Sequence, residues 1–398
     1  MTKTRILYIH HGTGIGGAPI SLLNLIKRLN KKEYKVKVAF IKGGVAKELF
    51  TDHGVESEVI DAPNTWFVHN ETGKIQWWYF YRYPKIYREW KETANSIAIK
   101  YLIKQRADII HLNSHALSSW AWAAKKLGYK VVLHNRETIA KGYFGFRRKI
   151  LQDILEKSVD AIINISNDNK NRLGLSSKSH VVYNFVSIPD IYRPPMQEED
   201  NKKVLYLGGQ AFIKGFPTAV GCLNYLGEKI QVQFAGNYNS LKKPDTLKNQ
   251  IKYWIKLNLF GKLYQPLKRI KEVSNAELLG LLMNPYPFID KCDILITPFA
   301  IEHFSRPAME AMAYGKPVIG SNVEGMDEII DHGETGLLIE KNDPKALAEA
   351  INYLCTNPAI AQEMGRKGRE KAELLFSPDE NTAKVESIYR MLMAKKGE

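Results

Sequence analysis

Residues 293–330 read DILITPFAIEHFSRPAMEAMAYGKPVIGSNVEGMDEII. The run 293–299 is short, apolar and rich in β-formers, which predicts a buried strand of a parallel sheet. Pro307 suits the first turn of a helix, and the Gly-Lys-Pro sequence at 315–317 ends that helix. The next strand covers 317–320. This order predicts one strand–helix–strand unit of a parallel α/β sheet.

Two glutamates lie around the start of this helix. Glu310 is surrounded in sequence by alanines and methionines, which indicate a helix packed on most sides. A carboxylate is costly in such a place unless something binds it. Glu302 lies on the preceding loop, and a helix N-terminus suits a phosphate. We therefore expect the two carboxylates to hold hydroxyl groups on either side of a bound diphosphate. The alternatives are a buried salt bridge for Glu310 and an ordinary surface loop for Glu302.

The two glutamates, with seven residues between them and AMAYGKPVI after them, resemble the signature of the family 4 retaining glycosyltransferases. The strand, the paired glutamates, the small-residue helix and the Gly-x-Pro-Val-Ile end all occur in order. The resemblance implies the GT-B fold, in which two Rossmann-like, doubly wound α/β domains face each other across a cleft. It also implies that Glu310 binds the ribose of a nucleotide sugar and that Glu302 lies near the transferred sugar.

A glycine-rich loop is a second candidate for phosphate binding. Residues 208–215 read GGQAFIKG and resemble the family's second phosphate loop, which usually offers an arginine and a lysine. Lys214 fits the lysine, whereas Gln210 stands where arginine is expected and the spacing is one residue shorter. Arg306 is expected to compensate from the helix end; Lys214 as a surface loop residue is the alternative. The predicted donor-binding residues are Glu310, Arg306, Ser305, Pro307, Gly209, Gly16 and Gly17. The predicted catalytic residues are Glu302, His134 and Lys214.

The first glycine-rich loop favours a different ligand at first sight. Gly12, Gly14 and Gly17 match G-x-G-x-x-G, the pattern of a dinucleotide-binding turn. That mechanism needs an acidic residue at the end of the second strand, but the strand 34–41 is followed by Lys-Gly-Gly, which disfavours NAD. Glycines still let the backbone approach a ligand closely. In the resembling family this loop faces the donor phosphate and the acceptor; a tight turn without ligand is the alternative.

Strands and helices alternate through the first half of the chain, which is the doubly wound pattern. The predicted strands include 55–60, 108–113, 130–135, 161–166 and 180–185. His134 lies at the C-terminal end of its strand, where open α/β sheets bind ligands. The family resemblance implies a histidine near the donor sugar at a comparable point, and a structural histidine is the alternative.

The domain boundaries follow from composition. A stretch with three prolines and the run Glu-Glu-Asp at 198–200 predicts a linker at 187–203. Residues 1–186 then form an acceptor-binding domain and 204–376 a nucleotide-sugar-binding domain. The resemblance implies that 377–398 is a helix crossing back to the first domain. Within the second domain, Glu328 is expected to open a helix.

Two basic segments interrupt the pattern. Residues 65–106 interleave many aromatic residues with lysines and arginines, as at a membrane interface or an anionic acceptor site. Residues 242–271 hold nine basic residues and one acid, with apolar residues at helical spacing. Helices that pack their aromatic or apolar side chains inward and leave a solvated basic face are the alternative for both.

Bulk composition limits the function classes. The chain has 398 residues, 44% of them apolar, and a formal charge of +15. Three widely spaced cysteines favour a reducing compartment, and the sequence shows no signal peptide or membrane span. We therefore expect a cytoplasmic location, peripheral on the inner face of the cell membrane if the basic segments contact lipid. No acid pair with metal-ligand spacing is evident, so no metal and no cofactor are expected.

The family resemblance implies a retaining glycosyltransferase that needs no metal, and the sequence observations agree with this expectation. The donor would be a nucleotide-diphosphate sugar, with UDP favoured, and the acceptor a cell-surface glycan, a lipid-linked sugar or a glycopolymer. The charge alone also fits a nucleic-acid-binding protein, but no binding motif is present and no specific nucleic acid is expected. A nucleotide-sugar epimerase or inverting transferase of the same fold and a catalytically inactive scaffold remain as rivals. The sequence sets no oligomeric state.

Overall fold

The structure, a computed structural model, describes residues 2–63, 83–137, 139, 145–196, 201–238, 269–270 and 272–394. The chain divides into two compact units. Unit 1 comprises Met1–Phe185 and Pro378–Glu398, and unit 2 comprises Val186–Ser377. The last helix thus belongs to the unit in which the chain begins.

Unit 1 is built on a parallel sheet. Its strands are β1 (Thr4–His10), β2 (Tyr34–Phe40), β3 (Ser57–Val59), β4 (Ile109–Leu112), β5 (Lys130–Asn135), β6 (Ala161–Asn164) and β7 (Ser179–Val181). Within the described part of the chain, these seven strands lie in the order β3-β2-β1-β4-β5-β6-β7. Because both faces of this sheet are covered by helices, its central strands are largely buried and mostly apolar.

Helices cover both faces of the sheet in unit 1. They are α1 (Gly17–Arg28), α2 (Val45–Asp52), α3 (Tyr83–Glu92), α4 (Ala98–Leu102), α5 (Ser118–Lys126), α6 (Phe146–Ser158) and α7 (Asn167–Leu173). A π-helical turn at Thr93–Ile97 joins α3 to α4. The chain's final helix, Pro378–Ala394, packs on the face that carries Tyr8 and Val132, where its Val385, Ile388 and Tyr389 join the core.

Unit 2 repeats the same topology. Its strands are β8 (Lys202–Tyr206), β9 (Ile230–Ala235), β10 (Ala276–Gly280), β11 (Ile294–Thr297), β12 (Val318–Ser321) and β13 (Gly336–Ile339). Its helices are α8 (Phe216–Gly221), α9 (Tyr286–Lys291), α10 (Arg306–Ala313), α11 (Pro344–Thr356) and α12 (Pro358–Leu375), and the final helix of unit 1 is α13 (Pro378–Ala394). Among the described residues the sheet is six-stranded and parallel, in the order β10-β9-β8-β11-β12-β13.

The strand orders fix where ligands can bind. In both units the order reverses between the first strand and the fourth, at β1/β4 and at β8/β11. Open parallel sheets bind ligands beyond the carboxyl ends of the strands at such a switch point. The segments that follow β1, β4, β8 and β11 are therefore the places to look for a functional site.

Most of the predicted elements are confirmed. The stretch 293–330 forms β11, α10 and β12 as predicted, and Asp343 caps α11 by accepting hydrogen bonds from the amides of Lys345 and Ala346. One prediction is wrong. Glu328 does not open a helix, because its segment folds as successive turns that bury Met326 and Ile330 against the core.

Some predictions fall outside the described residues. The basic segment 242–271 lies almost wholly outside them, as do the aromatic residues at 66–81 and the acidic run at 198–200. The described part of the first basic segment is helical and packs inward. Trp90 is buried there and its indole N–H donates to Ser118 Oγ at 3.0 Å. No described helix is long and apolar enough to cross a membrane.

Candidate active site

In unit 2, the loop after β8 lies against the loop after β11. Gly215 has a left-handed φ of +75°, and a Cβ there would stand 1.6 Å from the carbonyl oxygen of Pro298. The amide of Ala300 donates to the carbonyl of Ile213 at 3.0 Å. Only glycine allows this approach, so the fold itself requires Gly215 next to Lys214.

A buried tyrosine also holds this loop in place. The Tyr206 hydroxyl is 3.2 Å from the carbonyl oxygens of both Gly209 and Lys214. A Cβ on Gly236 would lie 2.4 Å from the Cα of Gly209, so the turns after β8 and β9 touch through their backbones. The loop thus holds Lys214 at the switch point on a rigid, glycine-dependent backbone.

Helix α10 begins at the same edge of the sheet. Ser305 is fully buried and caps the helix, because its Oγ accepts from the amide of Ala308 at 3.3 Å. Arg306 and Pro307 are the first two residues of the helix, as the sequence predicts. Pro307 has no N–H, and the amides of the next two residues, Ala308 and Met309, both donate to Ser305. The positive end of the helix dipole is what remains to favour an anion here.

Glu310 is buried and anchored by two neighbours. Its side chain is 7% exposed, and Oε1 accepts from Arg306 Nε at 2.8 Å and from the Tyr286 hydroxyl at 3.3 Å. The protein therefore neutralises this carboxylate itself, as the salt-bridge alternative proposes. Both anchors use Oε1, and among the described residues no hydrogen bond to Oε2 is recorded.

The loop that carries Glu302 is held in place by its neighbours. The amide of His303 donates to the Glu324 carbonyl at 3.2 Å, and the His303 ring stacks on Phe299 with 4.1 Å between centroids. A Cβ on Gly325, whose φ is +89°, would be 3.0 Å from the His303 carbonyl oxygen. Glu302 itself is half-buried. Unit 2 thus brings together Glu302, α10 and the Lys214 loop.

In unit 1, polar side chains follow the strands at the corresponding switch point. Asn113 Nδ2 lies 3.0 Å from His10 Nδ1, and Arg136 Nε donates to Asn113 Oδ1 at 2.6 Å. Arg136 also donates to Asn184 Oδ1 at 2.6 Å and contacts His134 Nδ1 at 3.2 Å. These contacts join the ends of β1, β4 and β5 into one network.

A second buried chain reaches the same histidine from below. His134 Nδ1 is 3.3 Å from His111 Nε2, and His111 Nδ1 is 2.7 Å from the Tyr389 hydroxyl. The Tyr389 hydroxyl also lies 2.7 Å from the Tyr8 hydroxyl. Helix α13 therefore contributes a side chain to the polar core under the carboxyl ends of the strands.

Burial keeps these imidazoles neutral. It lowers the pKa of His10 to about 3, with the charges of His11 and Arg136 acting in the same direction. Burial, with Arg136 nearby, also holds the pKa values of His111 and His134 well below their ordinary value. In unit 2, burial and the Glu310 carboxylate raise the pKa of Tyr286, so its hydroxyl stays protonated and donates.

The first glycine-rich loop is open above its backbone. A Cβ on Gly14, Gly16 or Gly17 would meet nothing within 4 Å, and none of the three has a left-handed φ. Unlike Gly215, these glycines are not required by packing inside the described structure. Because they carry no side chains, a ligand could contact the backbone of this loop directly.

Each unit brings together its own part of the predicted site. Sequence reasoning missed the roles of Tyr286, Asn113, His111, Tyr389 and Arg136. A signal existed for two of these, because His111 and Asn113 lie at the end of a predicted strand, as His134 does. No pattern marks Tyr286 or Tyr389. Among the described residues, no group of three His, Cys, Asp or Glu side chains is placed to hold a metal ion.

Two family models match the chain side by side. The model described as Glycosyltransferase Family 4 matches residues 15–188, and the model described as Glycosyl transferases group 1 matches residues 190–371. The boundary between the two matches falls close to the boundary between units 1 and 2.

Curated relatives are similar over part of their length. An uncharacterised glycosyltransferase of Methanocaldococcus jannaschii, MJ1178, is 31% identical over 243 residues, which is 58% of this chain and 60% of the relative. The capsular polysaccharide biosynthesis glycosyltransferase CapM of Staphylococcus aureus is 32% identical over 119 residues, 30% of this chain and 31% of the relative. The aligned stretches thus span less than two thirds of these relatives.

A solved structure matches over the whole chain. Anabaena Alr3699/HepE in complex with UDP and glucose superimposes with a TM-score of 0.75, covering 98% of this chain and 100% of that protein at 17% identity. This likeness establishes the fold. The chain therefore belongs to the group 1 and family 4 glycosyltransferases, and its two parallel-sheet units have the GT-B fold.

Proposed function

We propose that this protein is a retaining, metal-independent glycosyltransferase that moves a sugar from a UDP-sugar to a glycan, lipid-linked or glycopolymer acceptor. The carrying observation is Glu310, on the second turn of α10, whose Oε1 is anchored by Arg306 of the same helix and by Tyr286 of α9. Its Oε2 would accept hydrogen bonds from the ribose hydroxyls. A carboxylate so anchored is pre-organised for a diol and needs no further charge to be stable.

The diphosphate would lie between the N-terminus of α10 and Lys214. Ser305 and Pro307 set the start of that helix, and the positive end of its dipole would favour an anion at this position. Arg306, which the sequence assigns to phosphate, contacts Glu310 and so serves first to hold that carboxylate. Lys214 and the backbone around Gly209 then supply the remaining contacts from the opposite loop. This set contains fewer cationic side chains than the sequence analysis predicted for the diphosphate.

In the proposed reaction the bond between the sugar's anomeric carbon and the diphosphate oxygen breaks. An acceptor hydroxyl forms the new bond from the same face, and its proton passes to the departing diphosphate. Fixed donors around that diphosphate would stabilise the developing charge, a contribution of several kcal/mol at comparable sites. Glu302 would contact the transferred sugar. His134, and the loop with Gly16 and Gly17, would have the roles near the donor that the family resemblance implies.

UDP is favoured over other nucleotides by similarity alone. The structure of HepE contains UDP and glucose, and that of S. aureus TarM contains UDP. CapM acts in capsular polysaccharide biosynthesis, which fits a glycan acceptor. A lipid-linked acceptor and a peripheral membrane location rest on the basic aromatic segment 65–106 of the sequence.

The first experiment is binding. Calorimetry with UDP, GDP and ADP should give affinity for UDP, and Glu310→Gln should weaken it by roughly 10–100-fold, as expected for hydrogen bonds to a charged group. Glu349→Gln is the matched control, because that glutamate is exposed on α11 and pairs only at the surface with Lys345. Equal affinity of both variants would contradict the assignment of Glu310, and failure of every nucleotide diphosphate to bind would contradict the proposal.

The second experiment is stereochemistry. With a UDP-sugar donor, nuclear magnetic resonance of the freshly released or transferred sugar should show the anomeric configuration of the donor. Inversion would identify an inverting transferase. A sugar epimerised at another carbon would identify an epimerase. Either result would replace the retaining assignment while leaving the nucleotide-binding proposal standing.

A further inference from the structure

Arg136 contacts three different side chains with three different nitrogens. Nε donates to Asn113 Oδ1 at 2.6 Å, Nη1 donates to Asn184 Oδ1 at 2.6 Å, and Nη2 lies 3.2 Å from His134 Nδ1. A guanidinium donates hydrogen bonds and never accepts them. Each of these contacts therefore fixes the hydrogen-bonding role of the atom on the other side.

The contact with His134 fixes its tautomer. Because Arg136 Nη2 is a donor, His134 Nδ1 must be the unprotonated, accepting nitrogen. The proton of the neutral ring then sits on Nε2. That atom is buried and has no hydrogen-bond partner among the described residues.

The contact with Asn113 fixes His10 in the same way. Since Asn113 Oδ1 accepts from Arg136, the other end of this amide is the NH2 group. It lies 3.0 Å from His10 Nδ1, so that nitrogen accepts and the proton of His10 is also on Nε2. His10 Nε2 is likewise buried without a described partner, and it lies 3.0 Å from the Cβ position of Gly12, under the glycine-rich loop.

The second buried chain can adopt hydrogen-bonding roles that agree with this tautomer of His134. His134 Nδ1 accepts, so His111 Nε2 at 3.3 Å must donate to it and carry the proton of that ring. His111 Nδ1 then accepts from the Tyr389 hydroxyl at 2.7 Å, which in turn accepts from Tyr8. Every member of the chain has a consistent donor or acceptor role.

We propose that Arg136 is a positioning residue that holds His10 and His134 as neutral imidazoles, each presenting an Nε2–H donor to an oxygen atom of the bound substrate. The oxygen would be a sugar hydroxyl or a phosphoryl oxygen. Neither histidine then acts as a general base. The tautomers follow from the contacts of unit 1 alone, whereas the ligand rests on the proposed function.

The surroundings of the rings favour the neutral form. Among the described residues, the charged and titratable groups that act on the three rings are Arg136 on all of them, His11 on His10, and His111 on His134. Burial lowers the pKa of all three imidazoles, with the Arg136 charge adding to the effect.

The direct test is the tautomeric state in the full-length protein. Protein labelled with ¹⁵N in its histidines should show, at neutral pH, an unprotonated Nδ1 and a protonated Nε2 for His10, His111 and His134. Assignment follows from the loss of each signal in His10→Gln, His111→Gln and His134→Gln. None of the three should titrate above pH 6. A protonated Nδ1 on either His10 or His134, or titration near pH 6.5, would overturn the proposal without any measurement of activity.

Two variants distinguish the direct contact of Arg136 with His134 from its indirect contact, through Asn113, with His10. Arg136→Lys should change the tautomer balance of both His10 and His134, because an ammonium cannot reach three partners in a plane. Asn113→Leu should change His10 and leave His134 as it is, which keeps the proposal testable if the arginine variant fails to fold. Arg148→Lys is the control, since among the described residues the Arg148 side chain hydrogen-bonds only to the Arg172 carbonyl. An unaltered spectrum in Arg136→Lys would overturn the proposal.

Ligand titration and kinetics test the donor role. UDP alone should shift the Nε2–H signals if the partner is a phosphoryl oxygen, and only the UDP-sugar should shift them if it is a sugar hydroxyl. Signals that respond to neither would overturn the ligand half. His134→Gln, which keeps an N–H donor, should lose less than about tenfold in kcat, and His134→Leu about 100-fold. Equal losses in both, with loss of an acidic limb in the pH profile, would identify a base instead.

Discussion

The two units carry a glycine-rich loop at the same topological position, after β1 in unit 1 and after β8 in unit 2, yet the glycines do different things. In unit 2, Gly215 is locked against Pro298, and Gly209 touches Gly236 through its backbone. In unit 1, Gly16 and Gly17 face open space. One loop needs glycine for its own fold, whereas the other keeps a surface clear.

The side chains near the two loops also differ, because they are charged in unit 2 and largely neutral in unit 1. Unit 2 places charged groups at its switch point, with Glu310 and Arg306 paired and Lys214 on the loop that contacts the segment after β11. Unit 1 places neutral imidazoles there, bound to one another and to Arg136. The same strand order therefore supports an anion-binding edge in one unit and a set of neutral donors in the other.

The largest effect on stability is expected from Gly215→Ala. Its Cβ would stand 1.6 Å from the Pro298 carbonyl oxygen, and its φ is in the left-handed region. Both the β8 and the β11 loops would have to move, at a cost of about 3 kcal/mol or more. Thermal unfolding and hydrogen exchange of unit 2 peptides measure this. An unchanged melting temperature, with normal exchange in β8 and β11, would remove the distinction between the two loops.

Acid should destabilise unit 1 before unit 2. The pKa of His10 is about 3 in the folded protein against about 6.5 in the unfolded chain. Between these two values the unfolded state binds a proton that the folded state does not. The contribution of neutral His10 to the free energy of unfolding is therefore fully present above pH 6.5 and is lost as the pH decreases. His10 alone accounts for roughly 2 kcal/mol at pH 5, and His111 and His134 add to the loss.

Hydrogen exchange at pH 7 and pH 5 tests this difference between the units. Peptides containing β1 and β5 should lose protection at pH 5, while those containing β11 and β12 keep it. In unit 2, burial lowers the pKa of Lys316, and the nearby Cys292, Asp290 and Asp293 act in the opposite direction. Equal loss of protection in both units would show that the buried histidines do not dominate the acid response.

Removing the Tyr389 hydroxyl should give a smaller effect confined to unit 1. Tyr389→Phe breaks hydrogen bonds to Tyr8 and His111 and leaves both groups buried, at a cost of about 1–3 kcal/mol. Tyr353→Phe, on the exposed surface of α11, is the control and should change stability by less than about 0.5 kcal/mol. If the two variants melt alike, α13 is not tied to unit 1 through this hydroxyl.

The fold of the best-patterned regions could be predicted from the sequence because local signals agree there. Pro307, the Gly-Lys-Pro end and the apolar strands on either side each fix one boundary of β11, α10 or β12. The segment around Glu328 misled because a glycine before an acidic residue resembles a helix start. The burial of Met326 and Ile330, which sequence spacing does not reveal, selects turns instead.

Site residues could be predicted to lie together only where they are close in the sequence. Glu302, Ser305, Arg306 and Glu310 lie within nine residues, so their proximity follows from the helix itself. The unit 1 network joins β1, β4, β5 and α13, and the contact of Tyr389 with His111 spans 278 positions. No local pattern encodes such a contact. Arg136 was visible as a charge, but its role depends on three partners that only the fold assembles.

Gly17→Ala is expected to change stability least. It is also the most direct test of whether the glycine-rich loops of the two units have different roles. Gly17 is the first residue of α1, its φ is not left-handed, and a Cβ would meet nothing within 4 Å. Alanine is a better helix former than glycine, so the melting temperature should stay the same or rise slightly. If the open surface receives substrate, KM should nevertheless increase, by about tenfold for the loss of roughly 1.4 kcal/mol of binding. A fall in stability would mean that this loop, like that of unit 2, needs glycine for its own fold, and an unchanged KM would mean that nothing binds against it.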